Sequence, residues 1–242
     1  MNLALSKSMA VLAFHKIGDP PPGSWFPTWF YIPEETFTKQ LTFLREESWT
    51  VIDLASFLIG LDQPETLPER SVLITFDDAY RSIMGAALGC LRRFNFPAVL
   101  FVPSDYIGGT NAFSRGVEPE EPICTWDDLK LLEQGGISIQ SHSASHSKFS
   151  RLNPAAQREE IVRSKTVLET GLSKSVATLA YPYGDSGSDQ SAVAKILTQA
   201  GYRAAFLYGG GMIDPLDFNC FRLARIAMGP DTDLRYHGFA RC

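Results

Sequence analysis

Positive charge is scarce in this chain. Lys and Arg number 22 against 27 Asp and Glu, a formal net charge of -5. That balance provides no basic face, so binding of nucleic acid or of an anionic lipid surface is excluded as the main activity. Long hydrophobic runs are missing as well. None approaches the roughly 18 apolar residues of a membrane span. The apolar stretch 9–14 near the start runs into His15 after six residues, short of the roughly 7–15 of a signal-peptide core. The sequence therefore predicts a cytoplasmic chain, although a chain trimmed of an export signal reads the same. Cys90, Cys124, Cys220 and Cys242 form no C-x-x-C pair, which excludes a zinc ribbon or redox dithiol and predicts free thiols. Internal repeats and low-complexity linkers are also lacking, and histidine occurs only four times.

What is present is an ordinary globular composition, 45% hydrophobic and 20% charged over 242 residues, enough for a sizeable core. Short runs of β-formers alternate with segments of helical period. The runs 9–14, 71–76, 98–102, 137–140, 176–180, 203–206 and 221–226 predict strands. Helices are predicted around Phe37, Leu41 and Leu44, over 126–134, from Asn153-Pro154 to Gly171, and over 188–200. Asn followed by Pro is a good helix start, and Gly135-Gly136 and Gly201 are stop signals. About seven strands with interposed helices predict one α/β domain spanning 1–242, built as a distorted, TIM-like (β/α) barrel. Two long loops, Gly18–Ile32 and Ser104–Cys124, each follow a predicted strand, on the face where such a barrel places its chemistry. Trp25, Phe26, Trp29 and Phe30 in the first loop make either a local mini-core or a platform for stacking sugars.

Two of the four histidines sit in Ser141-His142-Ser143-Ala144-Ser145-His146, directly after a predicted strand. An H-x-x-x-H pair flanked by small side chains can turn two imidazoles toward one divalent metal. A second apolar run, Ser71–Phe76, ends in Asp77-Asp78. Neighbours at a strand end point to different sides, so one carboxylate can ligate metal while the other faces the reacting atom. Asp78 could instead cap a helix starting near Tyr80. Taken with the histidine pair, the metal reading is preferred, because one carboxylate and two imidazoles leave coordination positions open for water.

TFDDAY, SHSASH and AYPYG, in that order, resemble the first three motifs of the polysaccharide deacetylases of carbohydrate esterase family 4. The resemblance implies a distorted barrel and a metal-dependent hydrolase acting on the amide bonds of N-acetylated sugars. It implies Asp77 as general base and Asp78, His142 and His146 as ligands of one divalent ion, zinc first. It further implies that the Tyr183 backbone N–H stabilises the oxyanion. Tyr181 and Pro182, with Trp25 and Trp29, are the candidate substrate-binding residues, and an N-acetylated glycan is the expected partner. Two departures stand out. Ala180 occupies the place of the arginine that orients the base, and the C-terminal Leu-x-His that supplies the catalytic acid is missing. The branch similar to poly-N-acetylglucosamine deacetylases has a permuted order, with an N-terminal strand ending in an aromatic–His pair, and Phe14-His15 matches it. His15 becomes the expected acid in preference to His237. For the missing arginine, Arg222 and Arg225 lie on opposite faces of the last predicted strand, and Arg225 is the expected partner of Asp77.

Rival readings are a deformylase or ureide-type amidohydrolase with the same motifs, and a non-catalytic glycan-binding relic of the fold. The presence of Asp77, Asp78, His142 and His146 together favours catalysis.

Overall fold

The structure, a computed structural model, describes residues 7–21 and 29–240. Ten strands follow one another along the chain: β1 (Ser8–Phe14), β2 (Lys16–Ile17), β3 (Tyr31–Ile32), β4 (Thr50–Val51), β5 (Arg70–Phe76), β6 (Ala98–Val102), β7 (Ile137–Ser141), β8 (Thr178–Ala180), β9 (Ala204–Phe206) and β10 (Ile226–Ala227). Six α-helices alternate with them: α1 (Glu34–Glu46), α2 (Leu54–Asp62), α3 (Ala86–Phe94), α4 (Trp126–Gln134), α5 (Pro154–Leu172) and α6 (Gln190–Gln199). The main sheet is parallel throughout in the order β10-β1-β5-β6-β7-β8-β9, with β4 also pairing β5. Strands buried on both faces read as continuous apolar runs rather than alternating ones. The run Val72-Leu73-Ile74 of β5 is of this kind.

Alternate residues of the strands serve two cores. Leu12, Phe14, Ile74, Phe76, Leu100 and Ile139 pack outward against α1, α3, α4, α5 and α6. Met9, Val11, Leu73, Val99, Phe101 and Phe206 form the second cluster, which α2 enters with Leu54, Phe57 and Leu58. The segment from Cys220 to Ala227 draws the two ends of the sheet together. Leu223 bridges to Phe206 of β9, while Ile226 and Ala227 pair with Leu12 and Ala13 of β1. The expected distorted barrel is what forms, with seven strands in its main run.

The register explains why the chemistry gathers at one end. β1 and β5 pair without interruption from Ser8 opposite Arg70 to Phe14 opposite Phe76. The residues that follow, His15 and Asp77, therefore leave the sheet at the same level. His142 leaves β7 one strand beyond β6, at the same carboxyl edge of the sheet, where parallel α/β sheets carry their sites.

Four expectations need correction. The strand 221–226 shrinks to Ile226–Ala227, because Leu223 and Arg225 make loop-like contacts with β9 and Gly209 instead of a full ladder. Helix α2 was not anticipated, since its exposed face includes the apolar Ala55 and Ile59 and so shows no clear polar stripe. Helix α3 begins at Ala86 rather than near Tyr80, and Asp78 caps nothing. Gly171 lies within α5, which runs to Leu172 and ends on left-handed Ser173 (φ 55°). Trp25, Phe26 and Cys242 lie outside the described residues. Cys90, Cys124 and Cys220 are free thiols.

Candidate active site

Asp78, His142 and His146 converge on one point. Their ligand atoms all lie within 4.8 Å of one another. His142 Nε2 stands 3.2 Å and His146 Nε2 3.0 Å from Asp78 Oδ1. The other ring nitrogen of His142, Nδ1, is 2.8 Å from the Ala180 carbonyl. A neutral His142 that donates there turns an unprotonated Nε2 toward a carboxylate oxygen, and two lone pairs at that distance need a cation between them. The same closeness governs how these groups hold their protons when no metal is bound. Burial alone would raise the Asp78 carboxyl, but the two histidines overcome it and hold the group well below its ordinary value. Burial would likewise lower His142, yet Asp77 and Asp78 prevail and raise it. The donor set of two imidazoles and one carboxylate, buried and mutually facing, fits a divalent ion.

Local backbone geometry builds this convergence. Asp78 (φ 70°), Ala79 (φ 57°), Ser143 (φ 60°), His146 (φ 59°) and Tyr183 (φ 59°) all adopt left-handed conformations. Non-glycine residues hold such angles only where the surroundings over-determine them. Around the histidine loop, Glu160 of α5 supplies that constraint. Its Oε2 accepts from the Ala144 and Ser145 backbone N–H groups at 2.9 and 2.8 Å, and its Oε1 accepts from the Ser145 hydroxyl at 2.6 Å.

Asp77 is held by Arg225. The guanidinium makes two parallel bonds of 2.7 Å to the two carboxylate oxygens. Its Nε donates to the Leu207 carbonyl at 2.7 Å and Nη1 to the Thr75 hydroxyl at 3.1 Å. Both side chains are buried, Arg225 completely. Such a fork fixes the plane of the carboxylate as well as its charge. Burial would raise the Asp77 carboxyl, but Arg225 and His142 outweigh it and hold the group below its ordinary value. The structure thus brings Arg225 to Asp77 and leaves Arg222 on Gln190 of α6.

His15, Asp77, Asp78, His142, His146 and Tyr183 all line one cleft of about 300 Å³. His15 sits between Phe30 and Tyr208, with ring centres 4.4 and 5.4 Å away. Burial keeps its imidazole below the ordinary value, against the pull of Asp78. His237 is exposed near the far end of the chain. Three expected substrate contacts fall elsewhere. Tyr181 is buried, its hydroxyl donating to the Phe221 carbonyl at 3.1 Å, and Pro182 is buried beside it. Trp29 Nε1 donates to Asp231 at 2.7 Å, and the ring lies against Gly229. Phe30 lines the cleft in its place, joined by Phe113, Ser114, Val117, Glu118 and Tyr208. The length of the Ser104–Cys124 loop was the one sign of the Phe113–Glu118 contribution. Gly184 (φ 69°) makes the turn under Tyr183, and a Cβ there would meet the Tyr208 backbone nitrogen at 2.6 Å.

Residues 65–205 match the sequence family described as polysaccharide deacetylase. The chain belongs to that family. The family's members use a divalent metal. Among curated relatives, the Staphylococcus epidermidis poly-beta-1,6-N-acetyl-D-glucosamine N-deacetylase is 24% identical over 211 residues, covering 84% of this chain and 70% of its own length. A Bacillus subtilis relative, YxkH, is 25% identical over 153 residues, or 63% of this chain. The chain spans about half (51%) of that relative's length. Among solved structures, IcaB from Ammonifex degensii superposes with a TM-score of 0.80 at 23% identity, covering 98% of both chains. The Streptococcus pyogenes deacetylase PplD gives 0.77 at 20% identity, with 93% of both covered. These two establish that the whole described barrel shares the fold.

Proposed function

We propose that this polysaccharide deacetylase acts as one catalytic unit that removes N-acetyl groups from an amino-sugar polymer of the poly-N-acetylglucosamine type, with zinc as its metal. The observation that carries the reading is the pairing of Asp77 with Arg225 directly beside the Asp78–His142–His146 cluster, with all but the arginine open to the same cleft. Two imidazoles and a carboxylate are a typical donor set for catalytic zinc. The names of the staphylococcal relatives support the polymer.

When bound, a divalent ion supplies Lewis acidity, making water ready to yield its proton near neutral pH and drawing electron density from an acyl carbonyl. Asp78, His142 and His146 hold it. Asp77, ionised and oriented by Arg225, takes the proton of the attacking water. The Tyr183 backbone N–H donates to the oxygen that becomes negative as the carbonyl turns tetrahedral. His15, across the cleft, gives its proton to the departing sugar nitrogen, and acetate leaves from the other side of the broken C–N bond.

Acetate release from N-acetylglucosamine oligomers, peptidoglycan fragments and O-acetylated xylan, with and without chelator, tests the reading. The expected result is chelator-sensitive release from the N-acetylglucosamine oligomers, with Asp77→Asn retaining metal and losing about 10²–10⁴-fold in kcat. Release only from xylan, or loss of metal in Asp77→Asn, overturns it.

A further inference from the structure

Lys16, the residue after His15, is a buried ammonium. Its Nζ lies 2.7 Å from both Glu118 Oε2 and Glu121 Oε1 and 3.2 Å from the Tyr31 hydroxyl. It also sits 4.0 Å over the Tyr80 ring and 4.3 Å over that of Tyr31. A buried cation needs such partners. They come from the Ser104–Cys124 loop, from Tyr31 at the end of the Gly18–Ile32 loop and from Tyr80 after β5, so Lys16 ties together the two long segments at the cleft. Two carboxylates against one ammonium leave this group with a surplus negative charge.

The division of labour within Glu118 is uneven. Its Oε2 accepts from Lys16 at 2.7 Å and from the Tyr80 hydroxyl at 2.8 Å. Burial and the nearby carboxylates Asp78 and Glu118 push the Tyr80 phenol up, so it stays a proton donor. Among the described residues no group donates to Oε1, and Glu118 lines the cleft that holds His15 and the metal-ligand cluster. Glu121, on the same ammonium, does not. Apart from Asp77 and Asp78, Glu118 is the only carboxylate among the described lining residues, which are otherwise largely aromatic.

The geometry points to Glu118 as a substrate-recognition residue whose Oε1 accepts a hydrogen bond from a donor on the glycan. The donor is a sugar hydroxyl or the ammonium of a residue already deacetylated. The assignment rests on the glycan reading above. Lys16 and Tyr80 hold the carboxylate in one pose, so little freedom is lost when the sugar arrives, and the bond is charge-assisted.

Glu118→Gln tests this sharply. Lys16 and Tyr80 both donate, so the carboxamide turns its oxygen to them and presents its NH₂ to the cleft, replacing an acceptor by a donor. The expected result with N-acetylglucosamine oligomers is a KM raised about 10- to 100-fold, the scale of one charged hydrogen bond, with kcat, bound metal and Tm nearly unchanged. Glu121→Gln removes the same charge from Lys16 outside the cleft and should leave KM as it was. An unchanged KM in Glu118→Gln, or an equal rise in Glu121→Gln, overturns the assignment. Calorimetric affinity for the same oligomers, compared for Glu118→Gln and its parent on an Asp77→Asn background, reads the contact without turnover. Failure of acetate release in the wild type thus counts against the function, and equal oligomer affinity in that pair counts against Glu118. A larger loss with partly deacetylated than with fully acetylated oligomers identifies the donor as ammonium, and an equal loss identifies it as hydroxyl.

Discussion

Arg225 commits four of its five N–H donors, two to Asp77 and one each to Thr75 and Leu207. Breaking a buried ion pair from one side strands the other charge, which costs about 3–5 kcal/mol. Arg225→Met is therefore expected to keep its metal, lower thermal stability markedly and reduce kcat; metal analysis, calorimetry and acetate release measure the three. Arg225→Lys should recover little, since an ammonium cannot span both carboxylate oxygens. At the opposite wall, His15→Ala should retain metal and lose most turnover, while His237→Ala should be silent. The reverse pattern in acetate release would move the proton donor to the C-terminal segment. Asp77, Asp78, His142 and His146 were legible because chemistry of this kind needs those residue types at those spacings. Arg225 was only half legible, because alternation along a strand separated it from Arg222, and the strand proved shorter than expected. Tyr181 misled because a motif residue next to the turn was read as facing the glycan when its ring fills the core.

Among the elements, helix α4 was readable to the residue and α3 was not, for a physical reason. Thr125 opens α4 with a capping box: its hydroxyl accepts from the Asp128 N–H, and the Asp128 carboxylate accepts from the Thr125 N–H. Helix α3 starts on Gly85 with no side-chain cap and carries Gly89 inside it. Burial would raise the Asp128 carboxyl, but the Thr125 donors and Arg81, 2.9 Å away, hold it below its ordinary value. A depressed folded-state pKa contributes stability above the unfolded value of about 3.9 and loses it as pH falls through the folded value. Asp128→Asn is thus expected to destabilise by about 1 kcal/mol at pH 7, with the gap to wild type closing as pH falls below the ordinary carboxylate value of about 3.9 in pH-dependent denaturant melts. Gly171 makes a second test. Ala in a helix interior gains about 1 kcal/mol over Gly, but a Cβ here would sit 2.2 Å from the Trp126 ring. Overpacking of about 1–3 kcal/mol should win, so Gly171→Ala should lower Tm in a thermal melt.

For the whole molecule, a metal held by the proposed cluster would be coupled to stability, since Asp78 follows β5 and both histidines follow β7. Binding to the folded state alone stabilises by RT ln(1 + [L]/Kd), about 2.7 kcal/mol at a hundredfold excess over Kd. Zinc should therefore raise Tm and a chelator reverse it, whereas His142→Ala should melt at one temperature under both conditions. The barrel as a class was legible in the alternation of short apolar runs with helical segments. Its closure was not, because it depends on single bridges such as Phe206 to Leu223 rather than on a run long enough to read. That closure also sets a timetable for biosynthesis. Asp77 and Arg225 are 148 residues apart, so at roughly 5–20 residues per second the ribosome delivers the partner roughly 7–30 s after the aspartate. Throughout that interval the growing chain carries Asp77 without its Arg225 counter-charge and β1 without its β10 neighbour. The Asp77–Arg225 pair is thus complete only once Arg225 has been made, and a translation product cut short before it has Asp78, His142 and His146 but leaves Asp77 without its fork.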